Sequence, residues 1–360
     1  MLVVDAHLDL SWNALQWNRN LLHSVYTIRT REIGMPEKAR ALNTVALPEM
    51  RQGRVFLCFA TLLSRSTGNP VAHVDFLSPA QAFGTARGQL AYYRALESQG
   101  PIRILTSLDA LDAHVDAWQV WETEGASGEP PPLGFVISME SADPILHPDD
   151  LADWHAAGVR LIGPAHYGMG RYAGGTSVEE GLTDTGFRLL DEMARVGVIL
   201  DLTHLSDAAF WQALDRYDGP VIASHNNCRA LVPHQRQYSD EQIRAIIARD
   251  GVIGAAFDAW MLLPGWVRGM TTNESVTLER VVNHIDHICQ LAGNSAHVGI
   301  GSDLDGGFGR EQSPSDLDTI VDLQKIAEIL LSRGYADADV AAIMHGNWIR
   351  LLRRAWGGAS

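Results

Sequence analysis

Arg195-Val196-Gly197-Val198-Ile199-Leu200-Asp201-Leu202-Thr203-His204 carries the logic of the whole chain. The end of an amphipathic helical stretch runs into Gly197, then into a short apolar strand, then into a histidine. Glycine suits the helix end because the left-handed conformation common there costs it little. The same succession returns at Ala156-Ala157-Gly158 before Val159-Arg160-Leu161-Ile162, and at Arg249-Asp250-Gly251 before Val252-Ile253-Gly254. Helix starts are marked too. Ser78-Pro79-Ala80-Gln81 and Ser239-Asp240-Glu241-Gln242 read as capping boxes, the first with proline at the first helical position. Strands alternating with helices predict βα units around a parallel sheet.

Working outward gives eight candidate strands: Leu2–Ala6, Arg54–Thr61, Gly134–Met139, Arg160–Pro164, Val198–Leu202, Pro220–Ala223, Gly251–Ala256 and His297–Gly301. Several are nearly continuous runs of Val, Ile, Leu and Phe, as in strands covered on both faces. Eight such strands predict an α/β fold, a (β/α)8 barrel of the TIM type, with a doubly wound open sheet as the competing arrangement. Residues 17–49 form a long first βα loop, residues 110–132 a second insertion, and helices finish the C-terminus. Neither insertion reads as a separate domain, so residues 1–360 are taken as one barrel domain.

Composition narrows the function. The 360 residues carry 43 acidic and 28 basic side chains, a formal charge of -15, which leaves no concentrated basic surface for nucleic acid. Hydrophobic residues at 46% and charged ones at 20% exclude wholesale disorder. No apolar run approaches the ~18 residues of a membrane span. Met1-Leu2-Val3-Val4-Asp5 lacks a signal peptide's basic start, and residues 350–360 are too polar for a removable anchor, so a cytoplasmic enzyme away from membranes is expected. Cys58, Cys228 and Cys289 are odd in number and far apart, which predicts neither a disulfide framework nor a zinc knuckle.

The residues just past the strands carry the chemistry. After the first comes Asp5-Ala6-His7-Leu8-Asp9, after the third Glu140, after the fourth His166, after the fifth His204, after the sixth Ser224-His225 and after the eighth Ser302-Asp303. In a barrel these positions converge on the carboxyl-terminal rim, where such enzymes place their sites. Alternate strand residues point the same way, so His7 and Asp9 can face one centre. Taken singly, each residue has a plainer reading: a hydrogen-bonded strand-end histidine, a helix-capping Glu140, a turn-capping Asp303. Taken together, the set has the N/O ligand chemistry of zinc or a similar divalent ion. His284 and His287, three apart on a helix, have no carboxylate pattern beside them and are expected on the surface. The glycine-rich run from Gly168 to Gly175 lacks dinucleotide spacing, and the chain has no phosphate loop, no G-x-S-x-G elbow and no H-E-x-x-H helix.

Further motifs extend the series in order: Gly158-Val159-Arg160 through His166, Gly181-Leu182-Thr183, Asp201-Leu202-Thr203-His204-Leu205-Ser206-Asp207, Ser224-His225-Asn226-Asn227, Arg236, and Gly301-Ser302-Asp303-Leu304-Asp305-Gly306. From Val4 to about Leu352 the chain resembles the membrane (renal) dipeptidase family of metallopeptidases, among the amidohydrolase-like barrels. The resemblance implies two divalent metal ions, usually zinc: His7 and Asp9 hold one, His204 and His225 the other, and Glu140 bridges them. Two such ions lower the pKa of a shared water towards neutrality. The resemblance also implies that Asp303 acts as general base and then passes the proton to the leaving amine. It gives His166 the oxyanion and Arg236 the substrate's terminal carboxylate. Trp12, Arg171 and Tyr172 are the further candidates for substrate recognition.

The implied reaction is hydrolysis of dipeptides, with a D-residue accepted at the C-terminal position. Competing readings are a hydrolase of another small amide or lactone, such as an N-acyl amino acid or a β-lactam, and a non-catalytic metal-binding scaffold. A homodimer is compatible with the family. The chain departs from the family where Ser141-Ala142-Asp143 follows Glu140, where Leu8 sits inside His-x-Asp, at Ser11, and at Tyr167-Gly168-Met169-Gly170. These departures spare every implied ligand and bear on substrate choice.

Overall fold

The computed structural model of the protein describes residues 1–357; the last three residues of the polar C-terminal tail lie outside the described residues. Its centre is a ring of parallel strands: β1 (Val3–Leu8), β2 (Val55–Leu63), β4 (Leu133–Glu140), β5 (Val159–Gly163), β6 (Ile199–Asp201), β7 (Val221–Ala223), β8 (Val252–Ala255) and β9 (Val298–Ile300). The longest register runs from Leu57 opposite Gly134 to Leu63 opposite Glu140 between β2 and β4. Asp5 opposite Ile300 closes the ring between β1 and β9. This is the (β/α)8 barrel, and the open doubly wound sheet is excluded.

The ninth strand, β3 (Ile102–Ile104), escaped the sequence reading. It runs beside the first residues of β4, pairing Ile102 with Leu133 and Ile104 with Phe135, and stays outside the ring. Three residues interrupted by exposed Arg103 give too little periodicity to be seen. The second expected insertion is largely helical instead: residues 108–123, just beyond β3, form a helix capped by Ser107, whose hydroxyl accepts the Ala110 N–H. The long first loop is also folded. It contains the helix Val25–Glu32 and is pinned by buried Arg19, which donates to both Glu32 oxygens, to Asn13 Oδ1 and to the Ala39 carbonyl. Helices Gln324–Ser332 and Asn347–Gly357 finish the described chain, and Trp348 of the latter donates its indole N–H to the Ile300 carbonyl and packs edge-on against Phe59.

Local signals hold in two of three places. Gly197 and Gly158 are left-handed, as a helix end requires. In the third repeat Asp250 takes that conformation, and Gly251 is needed instead for closeness, since a Cβ there would sit 2.8 Å from the Val221 carbonyl oxygen. Ser239 and Gln242 form a reciprocal capping box, whereas Ser78 caps one way only, accepting from Gln81 N. His284, expected on the surface, is buried, and its Nδ1 accepts the Cys228 N–H. The three cysteines are free and buried. Among the described residues no helix is long and apolar enough to cross a membrane.

Gly254 and Gly301 let three strand ends crowd together, because a Cβ on either would lie within 2 Å of the Ser224 carbonyl oxygen. Backbone cannot swing aside as a flexible side chain would. Gly301→Ala should therefore cost at least the ~1–3 kcal/mol typical of overpacking, read as a lower denaturation midpoint at unchanged slope. An unshifted midpoint would contradict the close approach.

Candidate active site

Three buried aspartates aim the rim before any functional side chain is considered. Asp5, inside β1, accepts the His7 N–H at 3.2 Å and the Ser302 N–H at 2.9 Å through Oδ1, tying the first strand's end to the last. Asp201, closing β6, accepts the Thr203 and Ser224 N–H groups at 3.0 Å each, which fixes the His204 loop against the His225 loop. Asp305 accepts from Thr44 N, Thr44 Oγ1 and Val45 N, holding the first long loop over the rim. Ser141, His204 and Asp303 are all left-handed without being glycine, the kind of backbone strain that persists where surrounding structure enforces it.

Those anchors bring His7, Asp9, Glu140, His204 and His225 into one buried cluster, with Asp303 at its half-buried edge. Glu140 Oε1 lies 3.1 Å from His204 Nε2 and 3.4 Å from His225 Nε2, and Oε2 lies 3.5 Å from His7 Nε2. His7 Nε2 is 3.8 Å from both Asp9 Oδ1 and Asp303 Oδ1. His204 Nε2 and His225 Nε2 are only 3.1 Å apart. His7 Nε2, Asp9 Oδ1 and Glu140 Oε1 are buried without any hydrogen-bond partner. Burial and the Glu140 charge push Asp9 up to about 7. Burial drives the Asp303 carboxyl well above its ordinary range, with His7 opposing and Asp9 adding to it. For His7, burial is outweighed by Glu140, Asp9 and Asp303, which lift it to about 10.

Crowded acids and orphaned lone pairs are what a cation would relieve. Three overlapping sets have ligand atoms close enough to share an ion: His7 with Glu140 and His225, Glu140 with His166 and His204, and His7 with Asp9 and Asp303. The outer nitrogens bear on which histidines can ligate. His204 Nδ1 lies 2.9 Å from Thr176 Oγ1, and His225 Nδ1 lies 3.0 Å from Ser224 Oγ, which also stands 3.4 Å from His7 Nδ1. A hydroxyl can accept an N–H from Nδ1, leaving Nε2 with a free lone pair. The donor set therefore fits divalent metal.

A cavity of about 460 Å³ opens above this cluster. Trp12, Trp17, Leu63 and Val74 form an apolar wall, with Trp260 and Met261 also on the lining. Trp12 is fixed by an indole N–H donated to the His73 carbonyl at 2.9 Å. Arg236 is buried; it donates to the His225 carbonyl at 2.8 Å and to Asn226 Oδ1, while its Nε has no partner. His166 Nε2 stands 3.8 Å from Glu140 Oε1. Burial drops its pKa to about 3, with Glu140 opposing and Arg65 and Arg236 reinforcing the fall.

Two expected recognition residues do not reach this space. Arg171 spends its guanidinium on the backbone carbonyls of Asp143, Ile145 and Leu146, and buried Tyr172 donates its hydroxyl to the Ile145 carbonyl. Both brace the loop beyond His166 instead. The lining adds Arg65 and Asp258, which sequence reasoning missed, and Tyr167, which it had marked only as part of a departure bearing on substrate choice. The signal was positional: the second and seventh predicted strands had no chemistry assigned to their ends, and those ends lead into Arg65 and Asp258. The predicted second strand stopped at Thr61, whereas β2 runs to Leu63.

A family model described as "Membrane dipeptidase (Peptidase family M19)" matches residues 1–357. The chain belongs to the membrane dipeptidase family. It is 34% identical over 210 residues to dipeptidase tcpJ of Claviceps purpurea, an alignment covering 56% of this chain and 45% of that protein. The chain spans about half the length of the named fungal dipeptidases it matches. Among solved structures, dipeptidase AC superposes with a TM-score of 0.78 at 24% identity, covering 99% of both chains. A metallopeptidase of Rhodobacter sphaeroides, liganded with a phosphinate mimic of the dipeptide L-Ala-D-Ala, superposes with a TM-score of 0.76 at 24% identity, again over 99% of each. At that identity the superpositions establish a shared fold, and membership of a metallopeptidase family implies a divalent metal.

Because a ligand bound only by the folded state adds to its stability, chelation of this membrane dipeptidase relative should lower its thermal midpoint, and readdition of metal should restore it. Glu140→Gln should lose most of the bound metal, measured by elemental analysis. Full metal content in that variant would remove Glu140 from the ligand set.

Proposed function

We propose that the protein is a binuclear metallodipeptidase, hydrolysing the amide bond of dipeptides and accepting a D-residue at the C-terminal position. The observation that carries this reading is the placement of Glu140 between His7 on one side and His204 with His225 on the other, with Asp303 and His166 beside them. His7 and Asp9 would hold one ion and His204 and His225 the other, with Glu140 shared. Two divalent cations bound there, zinc by family resemblance, would polarise the scissile carbonyl and acidify an attacking water.

The chain's own residues supply the rest. Arg236, buried on the pocket lining and held by Asn226 Oδ1 and the His225 carbonyl, would present its guanidinium charge to the substrate's terminal carboxylate, a pairing that suits arginine better than lysine. Asp303 stands where it can take the proton released by the attacking water and return it to the leaving amine, restoring itself in each cycle. His166 faces Glu140 across 3.8 Å, where an Nε2–H can donate to the oxygen on which negative charge develops. The apolar wall of Trp12, Trp17, Leu63 and Val74 excludes water and receives side-chain surface. Buried, unpaired cysteines fit the cytoplasmic setting expected of it. Acceptance of a D-residue is supported by the L-Ala-D-Ala mimic held by the Rhodobacter protein.

Metal-quantified protein should hydrolyse paired L-Xaa-L-Xaa and L-Xaa-D-Xaa dipeptides. Arg236→Ala should raise KM at least about tenfold with a smaller change in kcat, as loss of uniform binding does. Turnover confined to N-acyl amino acids or β-lactams, or a fall in kcat alone in that variant, would overturn the reading.

A further inference from the structure

Four histidines surround Glu140, yet their outer nitrogens meet two kinds of partner. Those of His7, His204 and His225 face hydroxyls. At His204 the hydroxyl has a second outlet: Thr176 Oγ1 also lies 3.4 Å from the His204 carbonyl, and when it donates there it is free to accept from Nδ1. His166 is different, because its Nδ1 lies 2.7 Å from Arg65 Nη1. A guanidinium has five N–H donors, no acceptor, and no accessible neutral form. Nδ1 must therefore be the acceptor, and the ring's single proton is confined to Nε2, the nitrogen aimed at Glu140.

Arg65 is itself held for this task. Asp75 Oδ2 accepts from Arg65 Nε at 2.8 Å, and Asp75 also accepts from Thr67 N and Thr67 Oγ1. The Arg65 backbone exchanges hydrogen bonds with the same loop, its N–H donating to the Val74 carbonyl and its carbonyl accepting from Phe76 N. The guanidinium lies 5.7 Å over the Tyr167 ring, so the cation is aimed from three sides. Arg65 and Asp75 are both buried.

We infer that Arg65 is a positioning residue that locks His166 as an Nε2–H donor and thereby keeps it out of metal coordination. Nε2 cannot both carry that proton and offer a lone pair to an ion, so one of the three geometrically possible ligand sets, Glu140 with His166 and His204, is closed by chemistry. The kinetic half of this inference rests on the dipeptidase reading; the tautomer half does not.

The test therefore has two readouts. Nitrogen NMR of protein labelled on the histidine rings, with His166→Gln used to identify the His166 signals, reports which ring nitrogen bears the proton, with or without turnover. The wild type should show His166 protonated on Nε2 and bare on Nδ1, and Arg65→Met should lose that preference. Arg65→Lys, which keeps a donor, should retain it at least in part. With dipeptide substrate, Arg65→Met should lower kcat about 10- to 100-fold, the size expected of a group that orients a neighbour, with KM changed less than about threefold and recovery in Arg65→Lys. Protonation of His166 on Nδ1 in the wild type would overturn the inference, whether or not Arg65→Met folds. A rise in KM at constant kcat would also overturn it, by making Arg65 a direct substrate clamp. Absence of dipeptide hydrolysis by the wild type would strike the proposed function and leave the NMR result to decide Arg65 alone.

Discussion

One buried carboxylate governs this molecule. Glu140 is buried at the floor of the cavity with His7 on one side, His204 and His225 on another and His166 on a third, and its Oε1 has no hydrogen-bond partner. A carboxylate in that position needs positive charge beside it, and of the three histidines closest to it only His7 is pushed towards its charged form. Burial drives His204 and His225 well below their ordinary range, so both favour the neutral form. Neutral imidazoles with inward lone pairs around a buried anion are a poor protein interior and a good cation cage. The proposed chemistry arises from that mismatch.

The barrel exists, at this end, to hold the mismatch in place. Parallel strands leave their carboxyl ends side by side, but strand ends alone would not fix how the loops beyond them lie against one another. The aspartates do that by accepting backbone N–H groups from neighbouring strand ends: Asp5 links β1 to the Ser302 loop, and Asp201 links β6 to the Ser224 loop. Asp305 does the same for the first long loop. Each is an acid satisfied by donors, hence structural, while Asp9 and Asp303 lack such donors and face the cluster. The same residue type is sorted into scaffold and site by where its hydrogen bonds come from.

That sorting explains what was legible in the sequence. The strands announced themselves because a strand buried on both faces must be an apolar run, and Phe135-Val136-Ile137 can be little else. The cluster was legible because a barrel converts strand ends into neighbours, so six separate motifs became one place. Arg65 and Asp258 were not legible, since a lone arginine or aspartate after a strand has many structural uses and nothing in its neighbours marks the pocket. Arg171 and Tyr172 misled for the converse reason: adjacency to His166 in sequence says nothing about direction, and the loop turns both side chains onto its own backbone carbonyls. Ile102-Arg103-Ile104 failed on length alone.

The hardest layer to read in advance is the one that decides protonation. His7, His166, His204 and His225 are alike in type and in lying at the carboxyl ends of strands, and all four face Glu140. What separates them lies behind the rings, at Nδ1, where Ser224 and Thr176 can take a proton and Arg65 cannot. Ser224 stands beside His225 in the chain and could have been noticed; Thr176 and Arg65 come from loops 28 and 101 residues away from the rings they serve. Only tertiary structure brings a hydroxyl to one histidine and a guanidinium to another. The division of labour among four identical side chains is therefore written in their second neighbours, and a substitution behind a ring can convert a hydrogen-bond donor into a ligand without touching any residue of the cluster itself.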